Sequence, residues 1–460
     1  MARPLIAADD GTPRYQQISA RLRAQIADGT LAAGARLPAS RALAQDLGVA
    51  RTTVVAAYDQ LAAEGYLEAR RGAGVFVCDV APLSPPAAPA APAPRRTPPQ
   101  KRHLQPGTAD PAVFPTLPWA RCVARVARST PQALVFLDDP FGDPALRSEI
   151  AAYAGRWRGI TASAEQVIVT NGASEALEIA MSLLVRDGSI ALEAPGYNPL
   201  VRTVHQRGWT PQWIRPGLQG LEPPVPPASV TVLTPSHQFP LGGTLPVPAR
   251  QAFLRAAQES EGWIIEDDFD SEFRYAGRPV PAMAALDEAG RCIYVGTFSK
   301  TFSHALRLGY LILPPGLVAR FRDAMRHPSG GAPVSAQRPM AEFMASGQYD
   351  RHIRRARRIY AQRYKAAADA LEAWPGTLGH FRRHEAGMQI AFHLTGGRND
   401  KAIAAKAEAA GFGIRPLSAF DPAGRMQGLL IGFCQTPPED IPPRLDQLRI
   451  IVEGAEVSGD

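Results

Sequence analysis

Lysine is scarce in this chain: of 50 basic residues only Lys101, Lys300, Lys365, Lys401 and Lys406 are lysine, the other 45 being arginine. Lys300 alone follows a strand-like run, in CIYVGTFSKTFSHALRLGY. An ε-amine partly desolvated at a strand end loses basicity and becomes nucleophilic toward an aldehyde. Thr297, Ser299 and Arg307 lie near it in sequence and are residue types that hold a phosphate; the bland alternative is a surface lysine in a loop. In GWIIEDDFDSEFRY an apolar strand runs into Glu266-Asp267-Asp268, which places carboxylates at the edge of a sheet where α/β ligands bind. A carboxylate there can keep a pyridine nitrogen protonated; a metal site or a solvated acidic loop would read the same way. In VTNGASEALEIA the N–H groups of Ala173 and Ser174 open a helix and favour a phosphate, although any strand-to-helix turn can carry a glycine.

The elements around these residues point to an α/β body. QVIVT, SIALEA, SVTVLT, GWIIEDD, CIYVGT and LGYLIL read as strands, with SEALEIAMSLLV and ARQAFLRAAQE as helices between them. Such alternation predicts a mostly parallel sheet covered on both faces. A long arginine-rich helix over about 335–374 follows, then a smaller α+β lobe. In its run DRHIRRARRIYAQRYK, Ile353, Ile359 and Tyr360 are the packing positions. The charges fit a solvated face better than a DNA-backbone contact.

Before the body, residues 81–102 form a Pro/Ala-rich segment, with eight prolines among the eighteen residues from Pro82 to Pro99. Proline excludes helix and central strand, so the segment reads as an extended linker. It separates a head, residues 1–80, from a body, residues 103–460, with a large lobe at about 150–330 and a small one at about 335–460.

With 460 residues, 45% apolar and a net charge of +7, the chain is long enough for several cores and is not a disordered composition. It has no run of about 18 apolar residues, no secretory signal, and four dispersed cysteines without a metal-ligand spacing. No membrane, no metal and a cytoplasmic location are therefore expected.

In the head, Tyr15, Ile18, Leu22 and Ile26 mark one helical face. Ser40 is placed to cap a short helix that Gly48 ends. A second helix spans about Arg51–Glu64, with Val54, Tyr58 and Leu61 inward, and YLEARRGAGVFV forms a hairpin. This is a winged helix-turn-helix, or alternatively a small helical dimerisation module. Arg51, Thr52 and Thr53 open the second helix with side chains suited to bases and phosphates.

The segment LPASRALAQDLGVARTTVVAAYDQLAAEGYLEARRGAGVFV resembles the DNA-binding domain of GntR-type repressors nearly end to end. That resemblance implies that Arg41 and Arg51 read an operator with Thr52 and Thr53, while Arg71 and Gly72 sit at the wing tip. The order NGAS, APGYNP, TPSHQFPLGG, EDDFDSEF, TFSK…LRLGY resembles fold-type I aminotransferases that use pyridoxal 5′-phosphate. Together the two halves resemble the MocR/GabR subfamily of transcriptional regulators. The resemblance implies a Schiff base at Lys300, Asp267 on the pyridine nitrogen and Tyr197 stacked on the ring. It also implies Ala173, Ser174, Thr297, Ser299 and Arg307 around the phosphate, and His237 and Gln238 toward the ring hydroxyl.

Three positions depart from the pattern. Phe269 stands where a tyrosine is usual, and Leu137 where a tyrosine often reaches the partner subunit's phosphate. GLLIGFC lacks the arginine that grips a substrate carboxylate, for which Arg202, Arg415 or Arg425 are the candidates. The expectation is a homodimer that binds double-stranded promoter DNA. Its body senses pyridoxal phosphate, an amine or an amino acid through Lys300 rather than turning substrate over. The rivals are an active aminotransferase with an autoregulatory head, and a plain repressor with an inert body.

Overall fold

The computed structural model describes residues 12–79, 102–136, 139–215, 221–277, 280–326, 331–384 and 386–455. Residues 81–101 of the Pro/Ala-rich segment, and Leu137, lie outside that description. The chain divides into two compact units, Met1–Pro98 and Pro99–Asp460.

The first unit holds α1 (Arg14–Ala27), α2 (Ser40–Leu47), α3 (Arg51–Ala63), β1 (Leu67–Arg70) and β2 (Gly74–Val77). Ile18, Leu22, Leu43, Val54, Ala57, Leu61, Leu67 and Val77 meet in one core, so each element contributes its apolar face. Gly48 ends α2 at φ 61°, a left-handed turn that costs other residues more. Ser40 is not a cap: Ala39 precedes α2 and Ser40 is its first helical residue. Its hydroxyl instead accepts from Arg51 Nε at 3.3 Å, tying the start of α3 to α2. The strands pair antiparallel, Leu67 opposite Val77, with Gly72 at φ 77° in the tip.

The second unit begins with α4 (Thr116–Ser129) and α5 (Pro144–Arg158). Then come β3 (Val167–Thr170), α6 (Ala173–Leu184), β4 (Ser189–Glu193), α7 (Asn198–Gln206), β5 (Thr210–Ile214), β6 (Val230–Leu233) and α8 (Val247–Glu259). They are followed by β7 (Trp263–Asp268), β8 (Cys292–Thr297), α9 (Phe298–Thr301), β9 (Gly309–Ile312) and α10 (Val318–Ala324). These strands form one sheet in the order β3-β9-β8-β7-β6-β4-β5. It is parallel from β5 to β8, whereas β9 runs antiparallel to both neighbours. The strand β5 was not among the expected runs: Pro211 breaks its pattern, and a proline is tolerated there because β5 is an edge. Apolar side chains of α6, α7 and α10 cover one face, and those of α5, α8 and α11 (Val334–Ala345) the other.

The rest is α11 (Val334–Ala345), α12 (Gln348–Glu372), β10 (Gly379–Phe381), β11 (Gln389–Leu394), α13 (Asp400–Ala409), β12 (Arg415–Pro416), β13 (Gly428–Gly432) and α14 (Ile441–Glu453). The single helix expected over 335–374 is thus two, broken at Gly347, whose φ of 70° is left-handed. Ile353 of α12 packs in the large-lobe core, while Tyr360, Tyr364 and Leu371 pack in the small-lobe core. Ile359 is half-buried, and Arg351, Arg354, Arg355 and Arg358 are exposed. The small sheet is antiparallel in the order β10-β11-β13-β12. Leu104 joins its core, which brings Pro106 and Gly107 back toward the large sheet's Lys300. Among the described residues no helix is long and apolar enough to cross a membrane.

Leu61 is fully buried at the centre of the head. Leu61→Ala is expected to cost about 2–5 kcal/mol, seen as an earlier melt of the head by circular dichroism and loss of DNA binding on warming.

Candidate functional site

Three consecutive carboxylates end β7, and the two-residue period of a strand sorts them. Glu266 and Asp268 point to one side. There Asp268 takes Arg158 Nε at 2.8 Å, Tyr294 Oη at 2.7 Å and Ser271 Oγ at 2.8 Å. Glu266 accepts the backbone N–H groups of Met283 and Ala284, both at 2.9 Å. Asp267, between them, faces the opposite side and lines a cavity of about 410 Å³. It is 8% exposed, and its Oδ1 is buried without a hydrogen-bond partner. Burial, reinforced by the charges of Asp268, Glu193 and Asp270, holds its carboxyl up to about 7.

Lys300 reaches the same cavity from α9, the short helix that β8 runs into. Its Nζ donates to the Gly107 carbonyl at 2.6 Å. Burial lowers its basicity, partly offset by Asp270 and Asp267. The next residue, Thr301, is pinned by Tyr349 Oη at 2.8 Å and by His352 against its carbonyl at 2.9 Å, so the turn carrying Lys300 is fixed from behind.

One end of the cavity is built for an anion. Gly172, at φ 82°, leads into α6, whose first residues Ala173 and Ser174 line the wall, and N–H groups in the first turn of a helix have no intrahelical partner and suit an anion. A side chain on Gly309 would strike the Gly172 carbonyl carbon at 2.5 Å, so only glycine lets β9 approach this turn. Thr297 caps α9 by accepting from the Ser299 N–H at 3.1 Å. Arg307, in a left-handed conformation at φ 53°, donates to Asn171 Oδ1 at 3.3 Å and completes the rim.

The cavity therefore brings together Ala173, Ser174, Tyr197, Asp267, Thr297, Ser299, Lys300 and Arg307. His237 and Gln238 are engaged behind its wall. His237 Nδ1 lies 2.9 Å from Asp270 Oδ1, and Gln238 Nε2 donates to the Pro195 and Phe239 carbonyls at 3.0 and 2.7 Å. Phe269 lines the cavity with no hydroxyl to offer, set edge-on to Phe239. Of the arginine candidates, Arg202 and Arg415 line the wall; Arg425 is not part of it. Arg415 lies directly opposite Leu430 in the β12–β13 register, so the two share a face of the small sheet. Gly107, Thr234, His304 and Gln389 also line the cavity. Sequence reasoning missed them. Only Gly107, in the Pro-Gly turn, carried a signal: at φ 64°, a side chain there would approach Lys300 Nζ to 3.2 Å.

In the head, Arg41, Arg51 and Thr52 are exposed and Thr53 is half-exposed, with the latter three opening α3. Arg71 and Gly72 are exposed at the hairpin tip.

Residues 14–77 match the family described as bacterial regulatory proteins, gntR family, and residues 116–420 match aminotransferase class I and II. The chain is 34% identical over 482 residues to the probable rhizopine catabolism regulatory protein MocR of Rhizobium meliloti, covering 98% of this chain and 96% of that protein. It is 36% identical over 372 residues to the HTH-type pyridoxine biosynthesis transcriptional regulator PdxR of Corynebacterium glutamicum, covering 78% and 79%. In three dimensions it is similar to an archaeal alanine:glyoxylate aminotransferase, with TM-score 0.71 and 23% identity over 77% of this chain and 91% of that one. That likeness shows the fold. An aminotransferase class I and II body implies pyridoxal 5′-phosphate, and the residues present fit it. A buried carboxylate oxygen lacks a partner where a ring nitrogen needs one, and a glycine-lined helix start faces the same space as the lysine amine.

Because Asp267 is held up to about 7, the cofactor-free folded protein retains a proton that the unfolded chain releases above the ordinary aspartate value of 3.8. That contribution to stability is complete at low pH and lost as pH rises through about 7, by up to about 1.4 kcal/mol per pH unit. Melting temperatures of cofactor-free wild type and Asp267→Asn are expected to diverge between about pH 4 and pH 7, the variant gaining relative to wild type, and to keep a constant difference above that. A difference independent of pH would contradict the assignment.

Proposed function

The chain belongs to the MocR/GabR subfamily of GntR-type bacterial transcriptional regulators, and from that premise we propose that its head reads promoter DNA while its body senses a small effector through Lys300. The effector is an amine, an amino acid or pyridoxal phosphate itself. The observation that carries this reading is the pairing, across one cavity, of a lysine amine of lowered basicity with a buried carboxylate oxygen that has no partner.

When bound, pyridoxal phosphate supplies an aldehyde for the Lys300 amine and an electron-withdrawing ring. Asp267 holds a proton at the ring nitrogen, Tyr197 flanks the ring face, and Ala173, Ser174, Thr297, Ser299 and Arg307 hold the phosphate. His237 acts through Asp270, which it orients, and Gln238 shapes the loop rather than touching the ring. Arg415, aided by Arg202, grips an effector carboxylate. Its place beside Leu430 supports this, since the arginine absent from that strand is replaced by one on the neighbouring strand.

Phe269 favours sensing over turnover, because no hydroxyl at that position tunes the ring oxygen. Binding shifts the body between two closure states only by its differential affinity; a swing from 1:99 to 99:1 needs about 5.5 kcal/mol. A homodimer is supported by Leu117, Val135 and Phe136, apolar side chains 69%, 70% and 70% exposed. Two tethered heads then gain effective concentration at paired half-sites in a cytoplasmic promoter. Arg41, Arg51, Thr52 and Thr53 contact the major groove, and Arg71 and Gly72 the minor groove. The second reading, an active aminotransferase with an autoregulatory head, is favoured by the intact Lys300 and Asp267 pair.

Arg51→Ala is expected to weaken promoter binding by about 1–3 kcal/mol and to relax base preference at one position, as read by electrophoretic shift against base-substituted promoter fragments. In holo protein, amino acids are expected to perturb the absorbance near 420 nm without sustained keto-acid release, and Arg415→Gln to weaken carboxylate-bearing effectors about tenfold while sparing plain amines. Turnover at about 1 s⁻¹ or faster would establish the aminotransferase reading instead.

A further inference from the structure

On the side of β7 to which Glu266 and Asp268 point, away from the Lys300 cavity, lies a second cavity of about 90 Å³ walled by Arg158, Arg274, Arg357, Trp157, Ser236 and Glu272. Its three guanidinium groups are not equivalent. Arg158 is 6% exposed and already paired: its Nε lies 2.8 Å from Asp268 as an ion pair, while Nη2 donates to Ser236 Oγ at 2.5 Å and Nη1 to the Val280 carbonyl at 3.0 Å.

Arg274 and Arg357 have no ion-pair partner among the described residues. Arg274 makes one side-chain hydrogen bond, from Nη2 to Thr244 Oγ1 at 2.7 Å. Burial and the positive charge of Arg158 both press on it, eased in part by the charge of Asp270. Arg357 donates from Nε to the Glu272 carbonyl at 2.8 Å, with its guanidinium 4.9 Å from the Trp157 ring centroid. The one other acid on the wall does not neutralise them. The Glu272 carboxylate is turned to Tyr153, whose hydroxyl donates to it at 2.9 Å, and burial together with Asp268 holds it up to about 7.

Two half-buried guanidinium groups thus face one opening with no carboxylate paired to either, an arrangement that an entering anion would relieve. Their forked N–H groups match the oxygens of a carboxylate or phosphate. The Ser236 hydroxyl accepts from Arg158 and keeps its own proton to donate. We propose that this cavity is a second ligand site, taking a compact oxyanion, a phosphate or a small carboxylate, between Arg274 and Arg357. It is independent of Lys300 and of the effector reading, and nothing larger than a small anion fits its volume.

Calorimetric titration of full-length protein saturated with pyridoxal phosphate tests this, using inorganic phosphate and acetate as probes at constant chloride. Saturable binding is expected, at least about tenfold weaker in Arg274→Gln and in Arg357→Gln. Arg202→Gln, at the larger cavity, is expected to leave phosphate binding unchanged. Arg274→Lys keeps the charge but loses the fork; an intermediate affinity is expected, which keeps the test readable where Arg274→Gln does not fold. Binding of phosphate alone supports the site as one for phosphate, and binding of both probes supports one for oxyanions generally. No saturable binding of either probe, binding that persists in both glutamine variants, or binding lost in Arg202→Gln overturns the proposal.

Discussion

A carboxyl group buried at the end of a strand with one oxygen unpartnered is held against its solvation preference, and the body of this protein is arranged around that cost. Asp267 is kept in place by its neighbours on β7: Glu266 is anchored to the Met283 and Ala284 amides, and Asp268 to Arg158, Tyr294 and Ser271. Their anchoring fixes the strand, and the strand's period of two aims the remaining carboxylate into the cavity. The desolvation that raises Asp267 also lowers the basicity of Lys300 across the same space. One feature of burial therefore prepares both an acid that can hold a proton and an amine of lowered basicity.

Much of this was legible from sequence because its parts are local. Lys300 with Thr297, Ser299 and Arg307, and the carboxylate triplet after an apolar strand, are short motifs whose chemistry follows from residue type. Which of the three carboxylates faces the ligand follows from alternation once the strand is placed. Residues contributed by distant segments were not legible. Gly107 reaches Lys300 only because Leu104 is buried in the small lobe, and Gln389 only because β11 begins beside the cavity. His237 and Gln238 show the converse: they sit next to a cavity-lining segment, yet their side chains are taken by Asp270 and by backbone carbonyls. Helical periodicity carried across Gly347 hid the break between α11 and α12, and Pro211 disguised an edge strand.

The departures from the aminotransferase pattern share a direction. Phe269 removes a donor beside the ring, and Leu430 presents an apolar wall beside Arg415, displacing the positive charge to an adjacent strand. Such changes keep the means of binding pyridoxal phosphate while altering what is gripped and how the ring is tuned. That suits the proposed role, in which the body's output is occupancy rather than turnover, beside a head whose Arg51, Thr52 and Arg71 are exposed.

The proposed sensing requires that the amine of Lys300 bond covalently to the B6 aldehyde. Borohydride reduction of the full-length protein after incubation with pyridoxal phosphate, followed by peptide mass mapping, tests it directly. The account predicts the added mass on Lys300 and its absence from Lys101, Lys365, Lys401 and Lys406. No mass on Lys300, or equal labelling of all five lysines, would contradict it.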